Sequence, residues 1–495
     1  MHKEHVDVMI VGAGLSGIGA GVHLRTQCPD RSFVILEGRE RLGGTWDLFR
    51  YPGIRSDSDM HTLGYNFKPW LAQKAIADGP SILEYIKETA AEHQIDQYVR
   101  YQHKVTHAEW SSQEAVWKVD VSREDTQETV QLTCNVLYMC SGYYRYDEGY
   151  SPTFEGSERF QGPIVHPQHW TDDLDYTNKR VVVIGSGATA VTLIPSMTDK
   201  AAHVTMLQRS PTYVVSWPEK DVFANILNKV LPSKLAYAIT RFKNIFIQQF
   251  FYRLARKYPE HANRRVIRMM RQALGPDYDI KKHFTPSYSL WDQRVCLAPN
   301  GDFFKAIREK KASVVTDHIS HFSEGGIALE SGDNLEADII VTATGLNLIT
   351  SGGVTFSVDG KPVNFSDTWS YKGMASSDVP NLFGCFGYVN ASWTLRADLI
   401  SLYVCRVLNH MKATGTRQCT PLLRDTDKEM AARPWVEGFT PGYIERVAHL
   451  FPKQGDREPW INPQNYKKDK RMFLKGPIDD GVMAFTNRVQ SSRSN

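Results

Sequence analysis

Val6-Asp-Val-Met-Ile-Val11-Gly12-Ala-Gly14-Leu-Ser16-Gly17 decides the fold. A short apolar run suited to a buried parallel strand leads straight into G-x-G-x-x-G and then an Ala/Gly-rich helical stretch. The glycines serve a tight turn, a close backbone approach to a pyrophosphate and close helix-on-strand packing, while the helix N-terminus favours the anion. A second apolar run, Phe33-Val-Ile-Leu36, ends in Glu37, 25 residues after Gly12. A carboxylate there accepts from both hydroxyls of an adenosine ribose and repels a 2′-phosphate. Together these pieces predict a Rossmann-like dinucleotide-binding unit with Gly12, Gly14, Ser16, Gly17 and Glu37 at the cofactor.

The same grammar recurs once. Arg180-Val-Val-Val-Ile184 feeds Gly185-Ser186-Gly187-Ala-Thr189-Ala190, and His203-Val-Thr-Met-Leu207 ends in Gln208-Arg209-Ser210. Where the first unit has an acid, the second has a guanidinium, which can pair bidentately with a 2′-phosphate. The second site therefore prefers NADPH to NADH, with Gly185, Ser186, Gly187, Thr189 and Arg209 as its contacts. The fold class expected is α/β, with two Rossmann-like domains.

Composition fits this reading. At 495 residues the chain exceeds what one core covers, so two or three domains are expected. A formal net charge of +3 excludes nucleic acid as the partner of the whole molecule. Seven scattered cysteines without a C-x-x-C pair argue against a disulfide scaffold, a redox dithiol or a metal site, so reduced thiols and a cytoplasmic location are expected. The strand pattern starts within a few residues of Met1, leaving no room for a signal peptide, and no run of 18 apolar residues marks a membrane span.

Gly43-Gly44-Thr45-Trp46-x-x-x-x-Tyr51-Pro52-Gly53-x-x-x-Asp57 supplies small residues for backbone approach to a flavin, then a carboxylate after a Pro-Gly turn. This pattern resembles the flavin-dependent class B monooxygenases, and at every defined position it is similar to the second fingerprint of the Baeyer–Villiger monooxygenases. Within them Tyr51–Asp59, Asp147–Pro152 and Asn390–Thr394 look like the mycobacterial ethionamide-activating branch. The resemblance spans essentially the whole chain. It implies FAD at the first site and NADPH at the second, with Gly44, Thr45, Trp46, Asp57 and Val105 added to the flavin contacts.

Phe160-Gln-Gly162-Pro-Ile-Val-His166-Pro-Gln-His-Trp170 matches the family's F-x-G-x-x-x-H-x-x-x-W signature, although Thr171 stands where Pro or Asp is usual. By resemblance this is a linker between the two cofactor sites, and His166 couples domain movement to NADP retention. Residues 217–290 interleave apolar and basic side chains at helical spacing, and the family carries a helical insertion here. Its basic face is compatible with peripheral contact to anionic lipid. Arg294 matches an arginine that sits over the flavin, while Gln293 replaces a common phosphate-holding lysine and leaves the clamp to Arg209. Ala337–Gly345 reads as a closing strand and A-T-G turn, Asp398–Met411 as a helix, and the tail beyond Phe485 as disordered. The expected division is an FAD domain at 1–145 and 376–495, an NADPH domain at 146–216 and 291–375, and the insertion at 217–290.

The resemblance implies that NADPH reduces FAD, O2 adds to give a C4a-peroxyflavin, and one oxygen enters next to a ketone carbonyl as an ester or lactone. Arg294 is the expected fixed cation, Asp57 its orienting carboxylate, and sulfides and thioamides are side substrates. Two alternatives stand beside this: an N-/S-oxygenase of amines and sulfides, and a non-oxygenating NAD(P)H-dependent flavoprotein. A disulfide reductase would need a C-x4-C pair, which the chain lacks.

Overall fold

The computed structural model describes residues 4–439 and 441–487. The first fingerprint folds as β1 (His5–Val11), α1 (Leu15–Gln27) and β2 (Phe33–Leu36). The two strands pair in parallel, with Val8 opposite Phe33 and Val11 opposite Leu36. Strand Glu128–Met139 lies on the other side of β1, and Leu382–Gly384 continues the parallel layer from it. The alternating stretches near Val105 and Trp110 form antiparallel strands His103–Ser111 and Val116–Arg123 on the same sheet.

A second sheet holds five strands, all parallel, in the order Ala312–Thr316, β4 (His203–Gln208), β3 (Arg180–Ile184), Ile339–Thr342 and Ile164–Val165. Helix α2 (Ala188–Met197) follows β3. The core residues of β3 and β4 are fully enclosed, with Val183, Val204 and Met206 at 0% exposure, as a sheet covered on both faces requires. Ile164–Val165 belongs to the Phe160–Trp170 stretch, so that stretch forms the sheet's edge as well as a link.

Two connections tie the sheets together. Tyr144–Gly149 pairs antiparallel with Leu346–Leu348, joining outgoing and returning chain beside each other. The chain is back in the first sheet by Thr355–Val358, which pairs with His103–Ser111 ahead of residue 376.

Residues 217–290 contain the helices Val222–Val230, α3 (Ser233–Lys257) and α4 (Pro259–Leu274). The inner side of α3 buries Ala236, Tyr237, Thr240 and Arg241. The Arg241 guanidinium donates to the carbonyls of His61 and Gly64, each at 2.8 Å, and lies 3.7 Å from Asp398. Asp398 in turn accepts from the Asn66 N–H at 3.0 Å and contacts the His23 ring on α1 at 3.1 Å. One buried arginine thus ties the insertion to the first domain's helices, including α5 (Trp393–Thr414), which carries Asp398.

The C-terminal region is more ordered than its loop-rich sequence predicts. Gln418–Pro421 pairs with Met483–Thr486, helix Tyr466–Lys475 packs on α5, and Trp460 is fully buried. These contacts are long-range in sequence, so local periodicity carries no trace of them. The expectation for the tail beyond Phe485 falls almost entirely outside the described residues.

Candidate active site

Between the two sheets lies a cleft of about 1510 Å³ onto which both glycine turns open. At its first end Gly12 has φ +103°, and a Cβ there would stand 2.7 Å from the Cys140 carbonyl oxygen. Gly14 and Gly44 face each other so closely that a Cβ on Gly44 would lie 3.0 Å from the Gly14 Cα. Helix α1 starts at Gly14 with no side-chain cap and no acid in its first turn, leaving its N–H groups to the cleft. Gly17 serves packing: its Cβ would fall 1.8 Å from the Gly12 carbonyl oxygen.

Glu37 is 7% exposed at the end of β2. Its carboxylate accepts from the Ala13 N–H at 2.8 Å and the Arg39 N–H at 3.0 Å, so the turn and the strand end are locked together. Burial pushes its carboxyl pKa upward, and those two backbone donors pull against that shift. Beyond it Thr45 and Trp46 open a short helix held by Asp47, which is 1% exposed and paired with Arg39 at 2.6 Å and Arg50 at 2.9 Å. Tyr146 closes this end, its phenol pushed up to about 12 by burial, partly offset by a hydrogen bond with Thr45.

At the other end Gly185 has φ +131° and leaves no room for a Cβ, which would lie 2.3 Å from the Ala343 carbonyl oxygen. Gly187, the N-cap of α2, opens on free space, again with no side-chain cap. Ser186 and Thr189 line the same wall, and Arg209 is exposed to the cleft just past β4. Both turns therefore fit a dinucleotide: uncapped helix N-termini, glycines at 12 and 185 that a side chain would block, a buried carboxylate at one end and, at the other, a guanidinium in no ion pair among the described residues.

Asp57 and Arg294 meet in the middle, with Oδ2 3.7 Å from Nε. Arg294 shows 43% of its side chain to the cleft, yet Tyr143, Tyr144 and Tyr443 stand around it. Burial works against its charge, but the neighbouring Tyr443, Asp57, Tyr143 and Tyr144 side chains outweigh that and raise its pKa further. Burial pushes the Asp57 carboxyl up, and Arg294 then Arg55 pull it partly back. The result is a cation that does not titrate at working pH, aimed into the cleft.

Every other cofactor candidate from the sequence, Val105 included, lines this cleft, with Gly17 one turn behind it. His166 does not line it. The ring borders a separate cavity of about 590 Å³, accepts from the Gln168 N–H at Nδ1 (3.1 Å) and donates from Nε2 to the Gly345 carbonyl (3.0 Å). Nδ1 is used within the linker and Nε2 ties the linker to the A-T-G turn, and that turn does line the cleft. Residues that sequence reasoning missed are Arg39, the tyrosines at 143, 144 and 146, and Tyr443. The aromatic run Tyr143-Tyr144-Arg145-Tyr146 after Ser141-Gly142 was a usable signal for three of them; Tyr443 reaches Arg294 only through the fold.

Two nucleotide turns facing one cleft around a fixed cation define a two-cofactor oxidoreductase. A model of the flavin-binding monooxygenase-like family matches residues 75–348, and one of an NAD(P)-binding Rossmann-like domain matches residues 10–73. The chain is 53% identical over 486 residues to the FAD-containing monooxygenase EthA of Mycobacterium tuberculosis (strain ATCC 25618 / H37Rv), covering 98% of each. It is 47% identical over 496 residues to the probable FAD-binding monooxygenase AlmA of an Acinetobacter species, covering 99% of this chain and 98% of that one. In fold it is similar to an oxidized steroid monooxygenase bound to NADP (TM-score 0.77, 20% identity, 97% and 99% covered). It is also similar to an open cyclohexanone monooxygenase (TM-score 0.76, 18% identity, 98% and 100% covered). The chain belongs to the flavin-binding monooxygenase-like family, and it is a flavin-dependent monooxygenase.

Proposed function

We propose that this chain is a Baeyer–Villiger monooxygenase that uses NADPH, FAD and O2 to insert one oxygen atom next to a ketone carbonyl, giving an ester or lactone. The observation that carries this reading is the Asp57–Arg294 pair set between the two nucleotide turns. FAD would be held by Gly12, Gly14, Ser16, Gly44, Thr45, Trp46 and Glu37, and NADPH by Gly185, Ser186, Gly187, Thr189 and Arg209. When bound, the flavin supplies the two-electron relay from NADPH and the activation of O2.

The chain's own residues supply charge and enclosure. Arg294 stabilises negative charge on the oxygen being transferred, and because the guanidinium is already in place, little reorganisation is needed during reaction. Asp57 orients it from 3.7 Å and keeps the local net charge near zero. Tyr143, Tyr144 and Tyr443 stand around the guanidinium within the cleft. Transfer to a soft, nucleophilic sulfur would instead need that oxygen protonated and electrophilic, and sulfides and thioamides are expected as secondary substrates on that route.

The test follows NADPH oxidation with a panel of linear, cyclic and aryl ketones and a thioether, identifying products by mass. Arg294→Ala should still oxidise NADPH, release hydrogen peroxide, and lose product formation by about 100- to 1,000-fold. Ester formed at the parental rate by that variant would remove Arg294 from the chemistry. Sulfoxide as the sole product of the parent would favour the N-/S-oxygenase reading.

A further inference from the structure

We propose that the outer side of the helical insertion is a docking face for an anionic lipid bilayer. Helix α3 is apolar on two sides. Its inner side buries Ala236, Tyr237 and Arg241, and the Tyr237 hydroxyl donates to the Tyr65 carbonyl at 3.0 Å, so the helix cannot roll. Its outer side carries Leu235, Ile239, Phe242, Phe246, Phe250 and Leu254, spaced at three and four residues along one stripe. Phe242 is 73% exposed and Phe246 62%. The neighbouring helix adds Val222, Ile226 and Val230 at the same spacing, each more than half exposed. Contiguous apolar surface of this kind marks an interaction site rather than the scatter of single exposed residues normal on a monomer.

Charge selects the occupant. Between Asp221 and Glu260 the chain has no Asp or Glu, against seven basic residues. Three of these are engaged within the protein: Arg241 is buried, Lys243 pairs with Asp221 at 2.7 Å, and Arg256 with Asp292 at 2.5 Å. Lys229, Lys234, Arg253 and Lys257 are exposed and in no ion pair among the described residues. An apolar stripe accompanied on the same two helices by four exposed cations outside ion pairs matches a bilayer interface, where aromatic rings enter the acyl boundary and cations meet lipid phosphates. A second copy seated on the same stripe would set these like charges against each other. No described helix is long and apolar enough to cross a membrane, so contact is with the surface.

The full chain with its flavin should float with phosphatidylcholine vesicles that contain phosphatidylglycerol, and far less with phosphatidylcholine alone. Raising the salt concentration should release it. Replacing Lys229, Lys234 and Arg253 together by Ser should lower partitioning on the order of 100-fold. Phe242→Ser with Phe246→Ser and Phe250→Ser should lower it comparably, while flavin content and NADPH oxidation with a water-soluble ketone stay at parental values. No flotation with the anionic vesicles, flotation indifferent to salt, or flotation unchanged in the phenylalanine variant would overturn the proposal. So would a dimer in sedimentation that the phenylalanine variant splits. The salt dependence is read on the parent, so the test holds even if a variant fails to fold.

Discussion

Arg209 and Glu37 occupy equivalent places at the ends of second strands, yet their surroundings differ. Glu37 is buried and already bonded to two backbone N–H groups, whereas Arg209 is exposed to the cleft. An exposed guanidinium in no ion pair among the described residues has its donors available for a phosphate. Arg209→Ala should lower kcat/KM for NADPH by about 10- to 100-fold, the worth of one charged hydrogen-bonded pair, and leave that for NADH nearly unchanged. Steady-state kinetics with both nucleotides reads this directly. At this scale both nucleotide turns were legible, because each rests on contiguous residues whose backbone geometry admits few side chains. The tyrosine wall of Arg294 was legible only in its Tyr143–Tyr144 part, since Tyr443 joins it from a segment far along the chain.

At the level of elements, α1 stands on its strand only because residue 17 has no side chain. A Cβ at 1.8 Å from the Gly12 carbonyl oxygen forces either the turn or the helix to move. Gly17→Ala should therefore cost about 3 kcal/mol or more of stability and strip bound flavin. Thermal unfolding and the flavin absorbance of the purified variant measure both.

The Phe160–Trp170 stretch is held in place through hydrogen bonds at both nitrogens of the His166 ring. Burial lowers the His166 pKa, and the Gln168 N–H requires a lone pair at Nδ1. The folded chain thus holds a neutral ring, and on acidification the unfolded chain takes the proton first. Stability should be constant above the ordinary imidazole range and decline as pH falls below it through the depressed folded value. His166→Ala should lose about 1–3 kcal/mol of stability for two lost bonds, retain flavin, and show a flatter pH dependence. Melting curves of both proteins across mildly acidic pH give the comparison.

Over the whole molecule, the insertion depends on one buried charge. Arg241 answers the carbonyls of His61 and Gly64 and the Asp398 carboxylate, and removing it leaves Asp398 short of a cation. Arg241→Met should cost about 3–5 kcal/mol and expose residues 222–283 to limited proteolysis before the rest of the chain. Proteolytic mapping with time distinguishes local loosening from global unfolding.

The sequence by itself determined the two strand–turn–helix units, the acid and the cation that end their second strands, and the helical character of residues 217–290. Those features depend on neighbours in the chain, where periodicity and glycine geometry act. Only the tertiary structure decided that both turns open on one cleft, that Tyr443 joins the wall of Arg294, and that His166 turns to the Gly345 carbonyl instead. It also decided that the stripe from Leu235 to Leu254 stays uncovered. A helix carrying apolar residues on two sides does not declare in its sequence which side the protein will bury. Packing around Arg241 makes that choice, because a guanidinium enclosed by protein must lie where carbonyls and a carboxylate can receive it.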